Sequence, residues 1–400
     1  MSEFKGGLEG KLSRRLLPML PNKARAFDLM ASEIPDIVKL TLGEPDFPVP
    51  DDVKNTMLAG ITADDSHYYQ SKGKPELLRA AANFFDKRCG LKYDPGSEIL
   101  ITVGATGSLF AVLSTLLNPG DKVILPSPMF ALYESDIIFN QGVPIFVDTT
   151  DDGYVLTPEK LQSVINENPD AKAILLNYPS NPTGMTYSDA QIRALADVLA
   201  KTDIAVISDE IYSELVYDGA HVSIAKYLKD QTIVINGVSK SHAMTGYRLG
   251  VIAAPADLIA KLTIVHALTA TVASNPSMNG AIQAWATDEG AEDVKPMLLE
   301  YRKRRDYLYE KLCELGFKIV KPNGAFYIFA KIPYDLEQDA VKFTKDLAYE
   351  AKVAILPGDI FGVGGEHHVR LSYAASMKNL QTAVQRITDY ITAKRNDAHK

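Results

Sequence analysis

AKAILLNYPSNPTGMTYSDAQIRALADVLAKTDIAVISDE, residues 171–210, holds two short runs rich in apolar residues, 171–177 and 204–210, the second ending in Ser-Asp-Glu. Between them the apolar residues recur at helical spacing, and Ser188 followed by Asp189 opens that stretch as a helix start. A strand that is apolar on successive positions needs cover on both faces. The stretch therefore predicts strands of a mostly parallel central sheet between helical layers.

The same alternation extends from about residue 98 to 255. EILITV, KVILP, VPIFV, TIVING and LGVIAAP are the further strand candidates, and GSLFAVLSTLL (107–117) and PEKLQSVINE (158–167) the helices. Thr157 before a proline marks the start of the second helix. After about residue 290 the texture changes to a long charged helix candidate, DVKPMLLEYRKRRDYLYEKLCEL, then two or three strands and a terminal helix. The expected fold class is α/β: a large domain with a mostly parallel, helix-flanked sheet, plus a smaller α+β domain. The expected boundaries are 1–47 for an N-terminal arm and part of the small domain, 48–290 for the large domain and 291–400 for the small one. The basic run YRKRR reads as a solvated helix face, since acidic residues flank it.

The chain has 400 residues, 46% hydrophobic and 23% charged, which suits an ordinary globular protein with a large core. Lys plus Arg number 42 against 50 Asp plus Glu, a net charge of -8, and this argues against nucleic acid as the main partner. Cys89 and Cys313 lie far apart in sequence, which fits a reducing compartment, and the expected location is cytoplasmic. Pro18 interrupts the short apolar run near the N-terminus, and no 18 apolar residues follow one another; no signal peptide or membrane span is expected. His367 and His368 are adjacent among otherwise scattered histidines and would face opposite ways on a strand, so no metal site is expected.

Ligands of open α/β sheets bind beyond the carboxyl ends of the strands, and polar residues fall there repeatedly. GATGSLF after EILITV is a small-residue turn into a helix, where the backbone N–H groups of Ala105, Thr106 and Gly107 could cradle a phosphate. NYPSNPTG presents Asn181 in a compact loop. Asp209 ends a strand while the sequence is still apolar, so it calls for a cationic partner, structural or ligand-borne. Lys240 follows TIVING, and a desolvated lysine has a lowered pKa that makes it a nucleophile toward aldehydes. Arg248 follows eight positions on. Each feature alone has an ordinary structural explanation. Together they specify an anion, a protonated ring nitrogen and an aldehyde, which pyridoxal 5'-phosphate supplies in one molecule.

NPTG, SDEIY, SKSHAMTGYRLG and VRLSYA, with LTLGEPDF near the start, together resemble the class I/II aminotransferases of fold type I. The branch they resemble includes bacterial aspartate, aromatic and N-acetyl-diaminopimelate enzymes. The resemblance implies Lys240 as the lysine that condenses with the cofactor, Asp209 as partner of its ring nitrogen, and Asn181 and Tyr212 as partners of its phenolic oxygen. Phe130 falls where the family stacks an aromatic ring on the cofactor, and core packing is its other reading. Ala105, Thr106, Ser239 and Arg248 would hold the phosphate, with Tyr68 reaching across from a second subunit of a homodimer. Arg370 would clamp the substrate α-carboxylate in a bidentate fork, helped by the backbone of Gly43 and by Asn181. Gly237 stands where many relatives carry a phosphate-binding serine, a role left to Tyr68 or water. Thr106 stands where some aspartate-specific relatives carry a lysine, which argues against strict aspartate preference.

The implied activity moves the amino group of an L-amino acid, aromatic or of broad range, with N-acetyl-diaminopimelate and aspartate as further candidates, to a 2-oxo acid such as 2-oxoglutarate. A C–S β-lyase could use the same lysine, aspartate and phosphate turn, yet that group often carries His at the place of Tyr212 and lacks an arginine at Arg248. A non-catalytic regulator that binds the cofactor is the alternative of another class; it normally carries a DNA-binding domain ahead of the match, which here starts by about residue 40. A nicotinamide dehydrogenase is excluded, because no G-x-G-x-x-G joins a first strand to a helix.

Overall fold

The structure, a computed structural model, describes residues 4–8, 10–19 and 21–398. Its strands in chain order are β1 (Val38–Lys39), β2 (Ile99–Thr102), β3 (Lys122–Ser127), β4 (Val143–Asp148), β5 (Ala171–Asn177), β6 (Ala205–Asp209), β7 (Thr232–Gly237), β8 (Gly250–Ala253), β9 (Lys318–Ile319), β10 (Tyr327–Lys331), β11 (Val353–Ala354), β12 (Leu356–Pro357) and β13 (His368–Ser372). Each apolar run of residues 98–255 supplies one strand of a seven-stranded sheet, ordered β2-β8-β7-β6-β5-β3-β4. From β4 to β7 all neighbours are parallel; β8 runs antiparallel to both β2 and β7. The sheet is α/β and mostly parallel, as the opening stretch predicts.

Side chains alternate between the two faces of the sheet with the period of two that a pleated strand imposes. Leu175, Ile207 and Ile235 pack on one face with Leu109, Val112 and Leu262. Ile174 and Val206 point the other way, onto Leu161, Ile192 and Leu195, while Val234 joins Met57 and Met278 on that same side. Both faces are covered, so successive residues of one strand are all apolar. Helix Asp189–Leu199 begins where Ser188 and Gln191 form a reciprocal capping box, which satisfies two otherwise orphaned N–H groups.

The carboxyl ends of the central strands are level. Asn177 of β5 pairs with Asp209 of β6, and Asp209 with Ile235 of β7. A four-stranded antiparallel sheet, β12-β13-β10-β9, lies in a second core with the helices Val294–Glu314, Ala340–Glu350 and Met377–Ala398. The N-terminal segment joins that part of the molecule: β1 pairs parallel with β11, and Leu40 packs in the same core.

The run YRKRR departs from its expected exposure. Arg302 and Lys303 are exposed, but Arg304 and Arg305 are buried. Arg304 grips both carboxylate oxygens of Asp46, at 2.7 and 2.9 Å, and Arg305 bonds Asp218 at 3.1 Å and the carbonyl of Pro322 at 3.1 Å. The helix turns these two inward because carboxylates from distant segments are there to pair with them.

Behind Asp209, Glu210 is fully buried and accepts hydrogen bonds from Ser208 Oγ at 2.7 Å and Ser223 Oγ at 2.6 Å, with His221 Nε2 at 2.7 Å. Glu210→Ala leaves these groups buried without their acceptor, and is expected to destabilise the fold by about 3 kcal/mol. Urea unfolding of Glu210→Ala beside Glu210→Gln checks this, since the amide retains one acceptor oxygen; an alanine variant as stable as the parent contradicts it.

Candidate active site

Beyond the level strand ends lies a cavity of 310 Å³. Gly43, Ala105, Thr106, Phe130, Asn181, Asp209, Tyr212, Ser239, Lys240, Arg248 and Arg370 all line it. Tyr68 does not; its side chain is 85% exposed on the surface of this single chain.

Lys240 follows β7 by three residues. Its Nζ donates to the carbonyl of Gly43 at 2.7 Å. Burial pushes its pKa down to about 8, helped by Arg248 and Arg370 and opposed by Glu44 and Asp209. Gly237, at the end of β7, has a packing reason: a Cβ there would meet the carbonyl oxygen of Leu249 at 2.7 Å. The backbone of β8 closes over this position, so a serine would need that backbone to move.

Asp209 lacks the structural cation that its burial calls for. No Lys or Arg among the described residues forms an ion pair with it; Tyr133 donates its hydroxyl to Oδ2 at 2.7 Å, and the N–H of Ile211 reaches Oδ1 at 3.2 Å. Burial pushes the carboxyl up to about 6, and these two donors only partly offset it. Burial and the adjacent carboxylate also keep the Tyr133 hydroxyl protonated.

Arg248 sits in a left-handed backbone conformation, φ 52°, after the turn Thr245–Tyr247. Its guanidinium donates to Thr106 Oγ1 at 2.8 Å and to the carbonyl of Thr245 at 2.9 Å. It lies against the start of helix Gly104–Leu116, where Gly104 leaves room for it: a Cβ on Gly104 would come within 2.5 Å of Arg248 Nη2. The first N–H groups of that helix have no partners within the helix. Ser239, at the same wall, keeps its hydroxyl free of protein hydrogen bonds among the described residues.

Arg370, on β13, is 4% exposed. It donates to Asn181 Oδ1 at 2.9 Å and to the carbonyl of Thr41, while its Nε is buried without a partner. The plane stacks over Tyr327, 4.5 Å from the ring centre, and near Phe361, at 5.0 Å. Gly43 stands beside this stack, where a Cβ would meet the Tyr327 hydroxyl at 2.5 Å.

Tyr133, Asn177 and Tyr327 also line the cavity and are absent from the candidates of the sequence. Asn177 Nδ2 donates to the carbonyl of Asp209 at 2.9 Å, and its Oδ1 accepts from the N–H of Asn181 at 3.0 Å, which ties the Asn181 loop to β6. Tyr327 shares a 2.7 Å hydrogen bond with Tyr212. Tyr133 could have been found, since it stands three residues after Phe130, and the rings meet edge to face at 5.5 Å. Tyr327 has no such signal, because its strand comes from the other sheet. His242 is a packing residue: buried, with Nδ1 at Ser241 Oγ and Nε2 at the carbonyl of Gly290. Among the described residues no cluster of His, Cys, Asp and Glu is fit to hold a metal ion.

The donor set fits pyridoxal 5'-phosphate on this chain's own terms. Arg248, the open helix start and the free Ser239 hydroxyl suit a phosphate. Asp209 is a buried carboxylate without a cation, which a protonated ring nitrogen would provide, and Lys240 is an amine of lowered basicity.

Comparison with known proteins agrees with this reading. The profile of the family described as aminotransferase class I and II matches residues 35–387. A probable N-acetyl-LL-diaminopimelate aminotransferase of Bacillus subtilis is 40% identical, covering 93% of each chain, and the aspartate aminotransferase of Geobacillus stearothermophilus is 37% identical over 96% of this chain and 100% of its own. The structure of Thermus thermophilus aspartate aminotransferase with maleate superposes with a TM-score of 0.90 at 36% identity, covering 94% of this chain and 98% of that one. The chain belongs to the class I and II aminotransferases, and is thus a transaminase of fold type I whose cofactor is pyridoxal 5'-phosphate.

Proposed function

We propose that the cavity described above is the active centre, moving the amino group of an L-α-amino acid to a 2-oxo acid such as 2-oxoglutarate. One observation carries the substrate side of this reading: Arg370 is a buried guanidinium in the cavity wall with no carboxylate paired to it among the described residues. A charge so placed is costly until an anion arrives, and both substrates of a transamination bring an α-carboxylate. The aspartate, aromatic and N-acetyl-LL-diaminopimelate relatives define the amino acids to try first.

When bound, pyridoxal phosphate supplies an aldehyde that takes up amines and a ring that accepts the electron pair released at the substrate Cα. Arg248, Ser239 and the N–H groups of Ala105 and Thr106 would hold the phosphate. Asp209 would keep a proton on the ring nitrogen, and Tyr133 and Ile211 fix that carboxylate. Asn181 and Tyr212 would hold the phenolic oxygen, and Phe130 lines the wall. Arg370 holds the α-carboxylate, so the Cα–H bond is fixed relative to Lys240. Lys240 would carry the proton released at the substrate Cα; an amine with a pKa of about 8 both accepts and releases a proton near neutral pH.

The same reading includes a homodimer with Tyr68 reaching the partner's phosphate site. It is supported by the exposure of Tyr68 at 85% and of Leu58 and Ile61 on the nearby helix Asp51–Thr62, both at 59%. It also divides the chain into an arm and part of a small domain (1–47), a large domain (48–290) and the rest of the small one (291–400), and places the enzyme in the cytoplasm. Both cysteines are free, and no helix among the described residues is long and apolar enough to cross a membrane.

Lys240→Ala is expected to lower transamination by at least about a thousandfold, since it removes the proton carrier. Half-reactions with each amino acid, followed by absorbance, test this, and full turnover by the variant contradicts the assignment. In the apoprotein, the lowered pKa means that Lys240 is half neutral at pH 8. Its acetylation rate, read by mass spectrometry, therefore rises with pH and levels off just above 8, whereas a water-exposed lysine keeps gaining reactivity toward ~10.4. Tyr68→Phe is expected to weaken pyridoxal phosphate retention by roughly tenfold, the loss of one hydrogen bond to a charged group, without changing the dimer mass in sedimentation; a monomeric parent protein contradicts the dimer.

A further inference from the structure

We propose that Arg25 is a specificity-determining residue that receives a second anionic group on the substrate, an inference that rests on the transaminase reading and deepens it. Helix Lys23–Ser32 brings its first turn to the cavity, where Ala24 and Arg25 line the same wall space as Lys240 and Arg370, with Asp28 one turn on. Asn22 caps this helix, its Oδ1 accepting from the N–H of Arg25 at 2.9 Å. The positive end of the helix therefore stands at the cavity beside a guanidinium.

The charges in the cavity show what Arg25 is for. Four cations line it: Arg25, Lys240, Arg248 and Arg370. In the proposed function Lys240 meets the aldehyde, Arg248 the phosphate and Arg370 the α-carboxylate, so Arg25 alone lacks a ligand anion. Its one carboxylate neighbour among the described residues is Asp28, whose Oδ2 is 3.9 Å away, the far limit of an ion pair. The other oxygen of that carboxylate, Oδ1, is shared by Thr41 Oγ1 at 2.5 Å and Lys39 Nζ at 3.4 Å. The Arg25 side chain is 66% exposed, so its fork of donors is free to turn to a ligand.

Arg25 and Arg370 are also connected. Thr41 accepts from Arg370 through its carbonyl and donates to Asp28 through its hydroxyl, and Asp28 lies one helical turn from Arg25. A substrate held by its α-carboxylate on Arg370 and extending toward this helix presents the end of its side chain to Arg25. The substrate class this selects is amino acids and 2-oxo acids whose side chains end in a carboxylate.

The test compares the holoenzyme with Arg25→Met and Arg25→Lys. Calorimetry measures binding of glutarate and of butyrate, and steady-state kinetics compares 2-oxoglutarate with 2-oxopentanoate, which has the same chain length without the second carboxylate. Arg25→Met is expected to weaken glutarate binding and raise the KM for 2-oxoglutarate by roughly tenfold, the loss of one hydrogen bond to a charged group. Butyrate binding, the KM for 2-oxopentanoate and kcat should stay nearly unchanged, and Arg25→Lys should recover part of the loss. Parallel changes for both acids of each pair, or none for the dicarboxylates, overturn the role of Arg25 while leaving transamination standing. A wild-type holoenzyme that transaminates no amino acid overturns the transaminase reading itself, and Arg25 with it.

Discussion

The charge imbalance of the cavity is the constraint on which the rest of the structure depends. Lys240, Arg248 and Arg370 line one space, and none forms an ion pair with a carboxylate among the described residues. Cations stripped of water, as Arg370 is, are ordinarily paired, because burying a charge is expensive. Here their hydrogen bonds go to neutral oxygens: the carbonyls of Gly43, Thr41 and Thr245, the hydroxyl of Thr106 and the amide of Asn181. Neutral acceptors orient the donors without cancelling their charge, so the site keeps its attraction for anions.

Such a site must be held by something other than its own electrostatics. The level ends of β5, β6 and β7 place Asn177, Asp209 and the approach to Lys240 side by side, and apolar packing on both faces of the sheet fixes that level. Behind it the Glu210 cluster absorbs a second carboxylate next to Asp209, using hydroxyls and an imidazole. Adjacent residues of one strand end thus have opposite tasks. Glu210 is saturated by donors on the inner side, and Asp209 faces the cavity with only Tyr133 and a backbone N–H to hold it.

The second sheet closes the site from the other side. Arg370 on β13 stacks on Tyr327 of β10, its diagonal neighbour across antiparallel strands, and the N-terminal segment carrying Thr41 and Gly43 is bound to the same part of the molecule through β1 and β11. Arg304 clamps Asp46 a few residues further on. The surroundings of Arg370 in the cavity are therefore assembled from residues 41, 43, 181 and 327, and together with 370 these come from four separate stretches of chain.

The sequence by itself determined the large sheet, because strands covered on both faces must be apolar throughout and the intervening helices show their own period. It also marked Asn181, Asp209, Lys240 and Arg248, since polar residues at the ends of apolar strands stand out against their surroundings. Only the tertiary structure decided their partners. Tyr133 and Tyr327 look like core aromatics in sequence, and their hydroxyls acquire a role only when folding brings them to Asp209 and Tyr212. Arg304 and Arg305 read as solvated charges until Asp46 and Asp218 arrive from more than 80 positions away. Periodicity reports which face of an element is buried, but a hydrogen bond between distant residues leaves no periodic trace, and so the charge pairing of this cavity could be learned only from the folded chain.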